Sequence, residues 1–263
     1  MNIFKREFKA SLKPLIIWCV SFLLLMGLAS TEFAVYNGQA DQVNAFLDSL
    51  PEALKQAFSL DVVRLDIPEG YISYIAGFMI LASVIYAALA GVQILSRELN
   101  KKTAETTFTL PVTRGHIISM KLAVASLNCA ILTAITFLGS VAAFARFGIG
   151  ADFITGTGKF MLVILVLQLL FLLAGLFLSV LAKRQKRTGT MIASAVIGVY
   201  FLSFFSKLNE STEFLKYFTP FDYFPAADVI QGNSLGLIGF IVVPLLMAVF
   251  LIGSFRLVAV KDL

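Results

Sequence analysis

Six long apolar runs, separated by short polar segments, dominate the hydrophobic pattern of the chain. A helix needs about 20 apolar residues to cross the hydrocarbon core of a bilayer. The pattern therefore predicts an all-α polytopic membrane protein with six transmembrane helices, at about residues 15–34, 72–95, 118–143, 160–182, 189–206 and 236–257. The first run is long for the core of a cleaved signal peptide, so it is interpreted as a span.

The composition supports the bilayer as the relevant solvent. Of the 263 residues, 59% are hydrophobic and 14% are charged, and the mean hydropathy is +0.88. A soluble domain of this length carries more charge. No internal repeat is visible, so we predict one transmembrane domain over residues 1–263. The two cysteines lie within apolar runs and indicate neither a disulfide framework nor a zinc site.

The distribution of charge predicts the orientation. If the N-terminus is cytoplasmic, fifteen of the 21 Lys and Arg residues lie on the cytoplasmic side, while twelve of the 16 acidic residues lie outside. Positively charged loops stay in the cytoplasm, so we expect both termini there. The net charge of +5 then reflects membrane topology and gives no indication of nucleic-acid binding.

Three segments outside the spans carry helical patterns. Residues 1–14 are predicted to form an amphipathic helix in the inner interface, the alternative being a disordered basic lead-in. Residues 35–71 form an external loop with two short amphipathic helices, which is either a lid or spacer or a substrate contact. Residues 207–235 form external short helices, interrupted by Pro220 and Pro225.

The spans offer little catalytic chemistry. The single histidine, His116, lies in a predicted cytoplasmic loop, and the spans carry no clear acidic or basic group at mid-membrane. Metal or nucleophilic catalysis and proton-coupled transport usually require such groups. We therefore expect a non-catalytic chain with no metal and no cofactor of its own. The most polar side chains in the spans are candidates for interhelical hydrogen bonds or a substrate path: Gln93, Asn128 and Gln168.

A short polar hairpin at residues 96–117 interrupts the apolar pattern between the second and third spans. Thr103 is placed to cap a two-turn helix with Glu105 in its first turn, and Pro111 ends that helix. Phe108 and Leu110 would face water there, which indicates a protein partner.

This hairpin resembles that of type 2 ABC transporter permeases, which are exporter-like. The family pattern has an acid after the second span, a Gly-Thr, an acid with apolar residues, a Leu-Pro-x-x-Arg and a later Lys. The chain departs from this pattern at two places. Lys102 stands where the family often has Gly, and Leu110 and Pro111 are directly adjacent. The matching residues are Glu98, Thr103, Glu105, Phe108, Leu110, Pro111, Arg114 and Lys121.

The resemblance implies that the hairpin is a coupling helix docked on a separate ATPase subunit, which binds the ATP and Mg. It implies an assembly of two ATPases and two permeases, a homodimer or a heterodimer, with spans one and five near the dimer axis. The implied ATPase contacts are Glu98, Thr103, Glu105, Thr106, Thr107, Phe108, Leu110, Pro111 and Arg114. An implied outer gate comprises Phe218, Pro220, Phe221, Tyr223 and Phe224.

The function expected from this resemblance is export of an amphipathic substrate, such as a peptide antibiotic, a drug or a lipid-like compound, across a bacterial plasma membrane. Besides the ATPase and the second permease, membrane lipids are the expected partners. Two alternatives stay open: an ATPase-linked sensory or immunity protein that does not transport, and an ion-efflux protein or secondary carrier.

Overall fold

The computed structural model describes residues 3–51, 55, 64–100, 114–182, 185–208, 210–233 and 237–260. These residues form helices and connecting turns, without a strand. The α-helices are α1 (Ile3–Gly38), α2 (Ala40–Ser49), α3 (Pro68–Asn100), α4 (Arg114–Phe144), α5 (Ala151–Leu181), α6 (Gln185–Ser206), α7 (Ala226–Gln231) and α8 (Leu237–Val260). Three 3₁₀ helices cover Ala145–Phe147, Glu210–Phe218 and Pro220–Tyr223.

The prediction of an all-α chain with six spans is confirmed. Within the described ranges, the six helices long and apolar enough to cross a membrane are α1, α3, α4, α5, α6 and α8. Most of α3 and α5 is buried inside the bundle, whereas α1, α6 and α8 expose most of their apolar surface. The exposed side chains suit contact with lipid or with another protein, because neither requires polar groups there.

At their N-terminal ends, α1 and α5 extend furthest beyond the predicted spans. Helix α1 is continuous from Ile3 to Gly38, so the structure has no break between the predicted interfacial helix 1–14 and the first span. Pro14 lies inside it and does not end it. Helix α5 begins at Ala151 rather than near residue 160, and its first turns pack on α7. There the Cα of Gly156 approaches Ile230 so closely that an added Cβ would lie 2.3 Å from the Ile230 carbonyl oxygen.

The bundle is built from two parallel helix pairs, each joining spans that are next but one in sequence. Helix α1 packs mainly on α4, with polar contacts from Ser11 to Asn128 and from Ser30 to Arg146. Helix α3 packs on α5 along most of its length. In each pair, residue numbers rise in the same direction along both helices from one contact to the next, so the two helices are parallel.

Glycines allow the closest of these contacts. A Cβ at Gly91 of α3 would lie 2.0 Å from the carbonyl oxygen of Leu172, and a Cβ at Gly175 of α5 would lie 2.2 Å from that of Ala88. The two backbones therefore touch at positions where any other residue would collide, as small residues permit between membrane helices. Ser179 completes the contact by donating a hydrogen bond to the Val92 carbonyl at 3.2 Å.

Candidate functional site

The predicted coupling hairpin joins α3 to α4 at the end of the bundle where α1 begins. A buried lysine connects the two flanking helices there: the Nζ of Lys121, on α4, donates to the Ile94 carbonyl of α3 at 3.1 Å. Leu95, Ile117 and Ile118 are also buried at this junction. The end of α3 and the start of α4, which flank the hairpin, are thus joined to each other.

The residues predicted to contact an ATPase lie mainly outside the described part of the chain. Glu98 is in the last turn of α3 and Arg114 is the first residue of α4. The seven others fall between these helices, outside the described residues, and their assignment stays a prediction: Thr103, Glu105, Thr106, Thr107, Phe108, Leu110 and Pro111.

A cavity of about 90 Å³ lies between α1, α3 and α4, near this end of the bundle. It brings together two of the three polar span residues singled out from the sequence, Gln93 and Asn128. Glu7 of α1 and Lys121 of α4 also form part of its wall. The cavity exists because α1 packs on α4 and makes few contacts with α3.

Asn128 ties α1 to α4 through one half of its carboxamide. Its Nδ2 donates to the Ser11 hydroxyl at 2.8 Å, and Ser11 in turn donates to the Phe8 carbonyl at 3.0 Å. Its Oδ1 is buried and accepts no hydrogen bond within the described residues.

Gln168, the third polar candidate, lies elsewhere. It is fully buried on α5, where its Oε1 accepts a hydrogen bond from Thr133 of α4 at 3.0 Å. It does not line the cavity that contains Gln93 and Asn128. The structure therefore places Gln168 in an interhelical contact and separates it from the other two.

The predicted outer gate lies at the opposite end of the bundle and combines buried and exposed residues. Pro220, Phe221 and Phe224 are buried, Tyr223 is half-buried, and Phe218 is 71% exposed. The Phe221 ring stacks on Phe171 of α5, and its edge meets Tyr200 of α6 with centroids 5.6 Å apart. This segment therefore fills the space between two spans, as a plug would.

A buried carboxylate holds this plug in place, and the sequence reasoning missed it. One oxygen of Asp222 accepts a hydrogen bond from Ser203 at 2.6 Å and the other accepts one from Ser206 at 2.9 Å. Lys207 lies 3.9 Å away. A usable signal existed in the sequence. Ser203 and Ser206 share one face at the end of an apolar helix, and Asp222 is the one acid between Phe214 and Phe224.

A second, larger groove of about 480 Å³ runs between α5, α7 and α8. Its walls are mainly apolar, including Val163, Phe240 and Val243, with Lys159 and Asn233 as polar members. It adjoins the gate through Phe224, whose ring meets the Phe240 ring edge-on at 5.3 Å.

These features define an integral membrane protein with six spans, a cavity at one end and an aromatic plug at the other. The chain belongs to the ABC-2 transporter family: the family model described as "ABC-2 family transporter protein" matches residues 1–258. It is accordingly an ABC transporter permease, the membrane component of such a system. A comparison with curated proteins gives no significant match.

Proposed function

We propose that this chain is the permease subunit of an ATP-driven exporter, energised by a separate ATPase subunit. The observation that carries the proposal is the extent of the family match, which covers residues 1–258 and so takes in all six spans. Spans with connecting segments occupy that range, so ATP and Mg would bind to the partner and not to this chain.

The joined ends of α3 and α4 support a coupling role for the segment between them. Because Lys121 bonds the Ile94 carbonyl, a force on the segment would reach both helices together. Helix α3 would pass it to α5 through the contact at Gly91 and Gly175, and α5 carries Phe171, which stacks on the plug. This gives a continuous packed route from the proposed ATPase site to the proposed gate.

The proposed assembly contains two permeases and two ATPases in a bacterial plasma membrane, with both termini cytoplasmic. Helix α6 suits the interface between permeases because its small residues Thr190, Ser194 and Gly198 are all exposed. A Cβ added at Gly198 would meet nothing within 4 Å. Such a row allows close approach of a second helix.

The proposed substrate is amphipathic. The exposed walls of the bundle are apolar and aromatic, while the cavity supplies polar and charged groups, among them Lys121 and Asn128. A peptide antibiotic, a drug or a lipid-like compound has the matching character, and the plug at the predicted outer end suits release to the outside.

The first test is co-purification of ATPase subunits with the tagged chain, comparing the wild type with Phe108→Asp plus Leu110→Asp. We expect the double variant to lose the ATPase while remaining folded. Phe46→Asp is the matched control, because Phe46 is 63% exposed on α2 and far along the chain from the hairpin. If no ATPase co-purifies, or the double variant retains it, the coupling proposal fails.

Transport by the assembled complex is the second test. Substrate accumulation in inside-out vesicles that requires ATP would support export. A ligand response without accumulation would favour a sensory protein, and flux through the purified permease without ATP would favour a carrier.

A further inference from the structure

The cavity between α1, α3 and α4 contains an unmet hydrogen-bonding group. Asn128 is 3% exposed, and its Oδ1 accepts no hydrogen bond from any residue that the structure describes. Exchanging the two ends of its carboxamide would let the Ser11 hydroxyl donate to Oδ1 instead of to Phe8, but it would leave Nδ2 unpaired; one half of the carboxamide lacks a partner in either orientation, and in the structure it is the acceptor. Leaving a buried acceptor unpaired costs free energy. A donor from outside the chain is therefore expected at this point.

The same cavity contains both signs of charge. Lys121, 5% exposed, contributes a cation that also donates to the Ile94 carbonyl. Glu7 contributes an anion, and one of its oxygens accepts a hydrogen bond from Arg6 at 3.1 Å. Arg6 also forms an ion pair with Glu7. The wall itself presents both signs of charge, which a zwitterion complements and a ligand of a single charge does not.

The charges follow a definite order along the helices. Lys121 and Asn128 are two turns apart on α4, about 10 Å along the axis. Ser11 contacts Asn128, and Glu7 lies one turn of α1 before Ser11, about 6 Å nearer the end of the bundle. Because α1 and α4 run parallel, Glu7 falls between the levels of Lys121 and Asn128. The cation is thus outermost, and the acceptors lie deeper.

We propose that this cavity binds the headgroup of an aminophospholipid from the adjacent leaflet. The phosphate would lie near Lys121, and the primary ammonium would donate hydrogen bonds to Asn128 Oδ1 and to Glu7. The volume of about 90 Å³ is several times the roughly 15 Å³ that a water needs, yet too small for acyl chains. The chains would stay outside, along exposed apolar residues of α1 such as Ile17 and Val20.

This assignment predicts selectivity at the amine. A phosphatidylcholine headgroup carries three methyl groups on nitrogen and has no N–H to donate, so Oδ1 would stay unpaired. A phosphatidylglycerol headgroup has no cation to place beside Glu7. The proposal depends neither on the ATPase nor on the direction of transport.

The test is native mass spectrometry of the delipidated, full-length protein in detergent, titrated separately with dioctanoyl phosphatidylethanolamine, phosphatidylcholine and phosphatidylglycerol. We expect phosphatidylethanolamine to bind about tenfold more tightly than the other two, as one hydrogen bond to a charged group would give. Soluble phosphoethanolamine forms a fourth titration and should bind far more weakly, since it lacks chains to lie along α1.

Three variants test whether the lipid binds in this cavity. Asn128→Leu and Glu7→Gln should each abolish most of the preference for phosphatidylethanolamine. Gln168→Leu is the matched control: it removes an equally buried carboxamide that contacts α4 but lies outside the cavity, and it should keep the preference. Glu7 lies near the start of α1, so Glu7→Gln tests the site even if Asn128→Leu does not fold.

Equal binding of the three lipids overturns the proposal, as does a preference that survives Glu7→Gln and Asn128→Leu. Loss of the preference in Gln168→Leu would show a general effect of packing instead of a site. Phosphoethanolamine binding as tightly as the lipid would identify a soluble zwitterion as the ligand and would overturn the assignment to lipid.

Discussion

Phe221 stacks on Phe171 with the ring centroids 5.4 Å apart and the ring planes inclined by 20°. This contact joins the segment between α6 and α8 to the most buried part of α5. Any opening at this end of the bundle that moves Phe221 must separate the two rings. The contact is therefore the natural place to test whether the segment acts as a gate.

Replacing Phe221 with Ala should loosen the plug. Removing a buried phenylalanine ring costs about 3 kcal/mol of folding stability, and it should increase the labelling of a cysteine introduced at Tyr200 by a water-soluble maleimide. Phe218→Ala is the control, because Phe218 is 71% exposed, and it should change neither quantity. Unchanged labelling in Phe221→Ala would show that this ring does not close this end of the bundle.

Asp222→Asn should destabilise the same segment by removing its charge. The carboxylate accepts from both Ser203 and Ser206, whereas an amide has only one oxygen, so one serine would face an N–H group. Lys207 would also lose its nearby anion. Losing one such buried bond costs about 1–3 kcal/mol.

Thermal unfolding in detergent measures this loss. Asp228→Asn provides the comparison, because among the residues that the structure describes the Asp228 side chain accepts only from Asn233, in an exposed bond at 3.1 Å. A shift in Asp222→Asn no larger than that of Asp228→Asn would mean that the carboxylate does not hold the plug.

Gly91→Ala should disrupt the pairing of α3 with α5. The added Cβ would lie 2.0 Å from the Leu172 carbonyl oxygen, so the backbones must separate. We expect a severe loss of folded protein, measured by size-exclusion chromatography. Gly198→Ala, with open space at the Cβ position, should behave as the wild type; equal yields of the two variants would contradict the close approach.

Gly198→Leu tests the proposed permease–permease contact. Gly198 is exposed and an added Cβ would meet nothing within 4 Å, so folding should be preserved, while a second helix could no longer approach closely. We expect a shift from dimer to monomer in mass photometry. Ala248→Leu, also at an exposed position of a span, should leave the dimer unchanged, and a stable Gly198→Leu dimer would move the interface elsewhere.

The turn before α3 should respond to acid. Arg64 donates two hydrogen bonds to Asp66, and these lower the pKa of that carboxyl below its ordinary value. A lowered pKa in the folded state means that the contribution to stability is present at neutral pH and is lost as the pH falls through the folded pKa. The difference in melting temperature between wild type and Asp66→Asn should therefore shrink between pH 6 and pH 3. A constant difference would mean that the pair is not responsible.

The sequence allowed the spans to be predicted well, because apolar length is a direct consequence of bilayer thickness. It indicated helix on both sides of Pro14 but not that α1 continues through it. It also did not indicate that α5 begins at Ala151, because the polar residues of its first turns become helical where they pack on α7. Asp222 was missed for a related reason. Its partners Ser203 and Ser206 are distant along the chain, and only the fold brings them together.

The three polar residues of the spans show the same limit of prediction from sequence. Sequence reasoning selected Gln93, Asn128 and Gln168 for their polarity within apolar runs. Which of them meet depends on the pairing of α1 with α4 and of α3 with α5, and no periodicity within a single helix specifies that pairing. The opposed charges of Glu7 and Lys121 in one cavity were likewise invisible before the helices were placed.

The pairing of spans that are next but one in sequence has a consequence for the order in which the helices can assemble during synthesis and membrane insertion. A ribosome delivers α1 and α3 first, yet α1 has its main neighbour in α4, and α3 has its own in α5. Each early helix must therefore wait in the lipid or at the insertion machinery until a later one arrives. Nascent chains stopped after α3 should hold two spans with little contact, and the bundle should compact only once α5 has entered the bilayer.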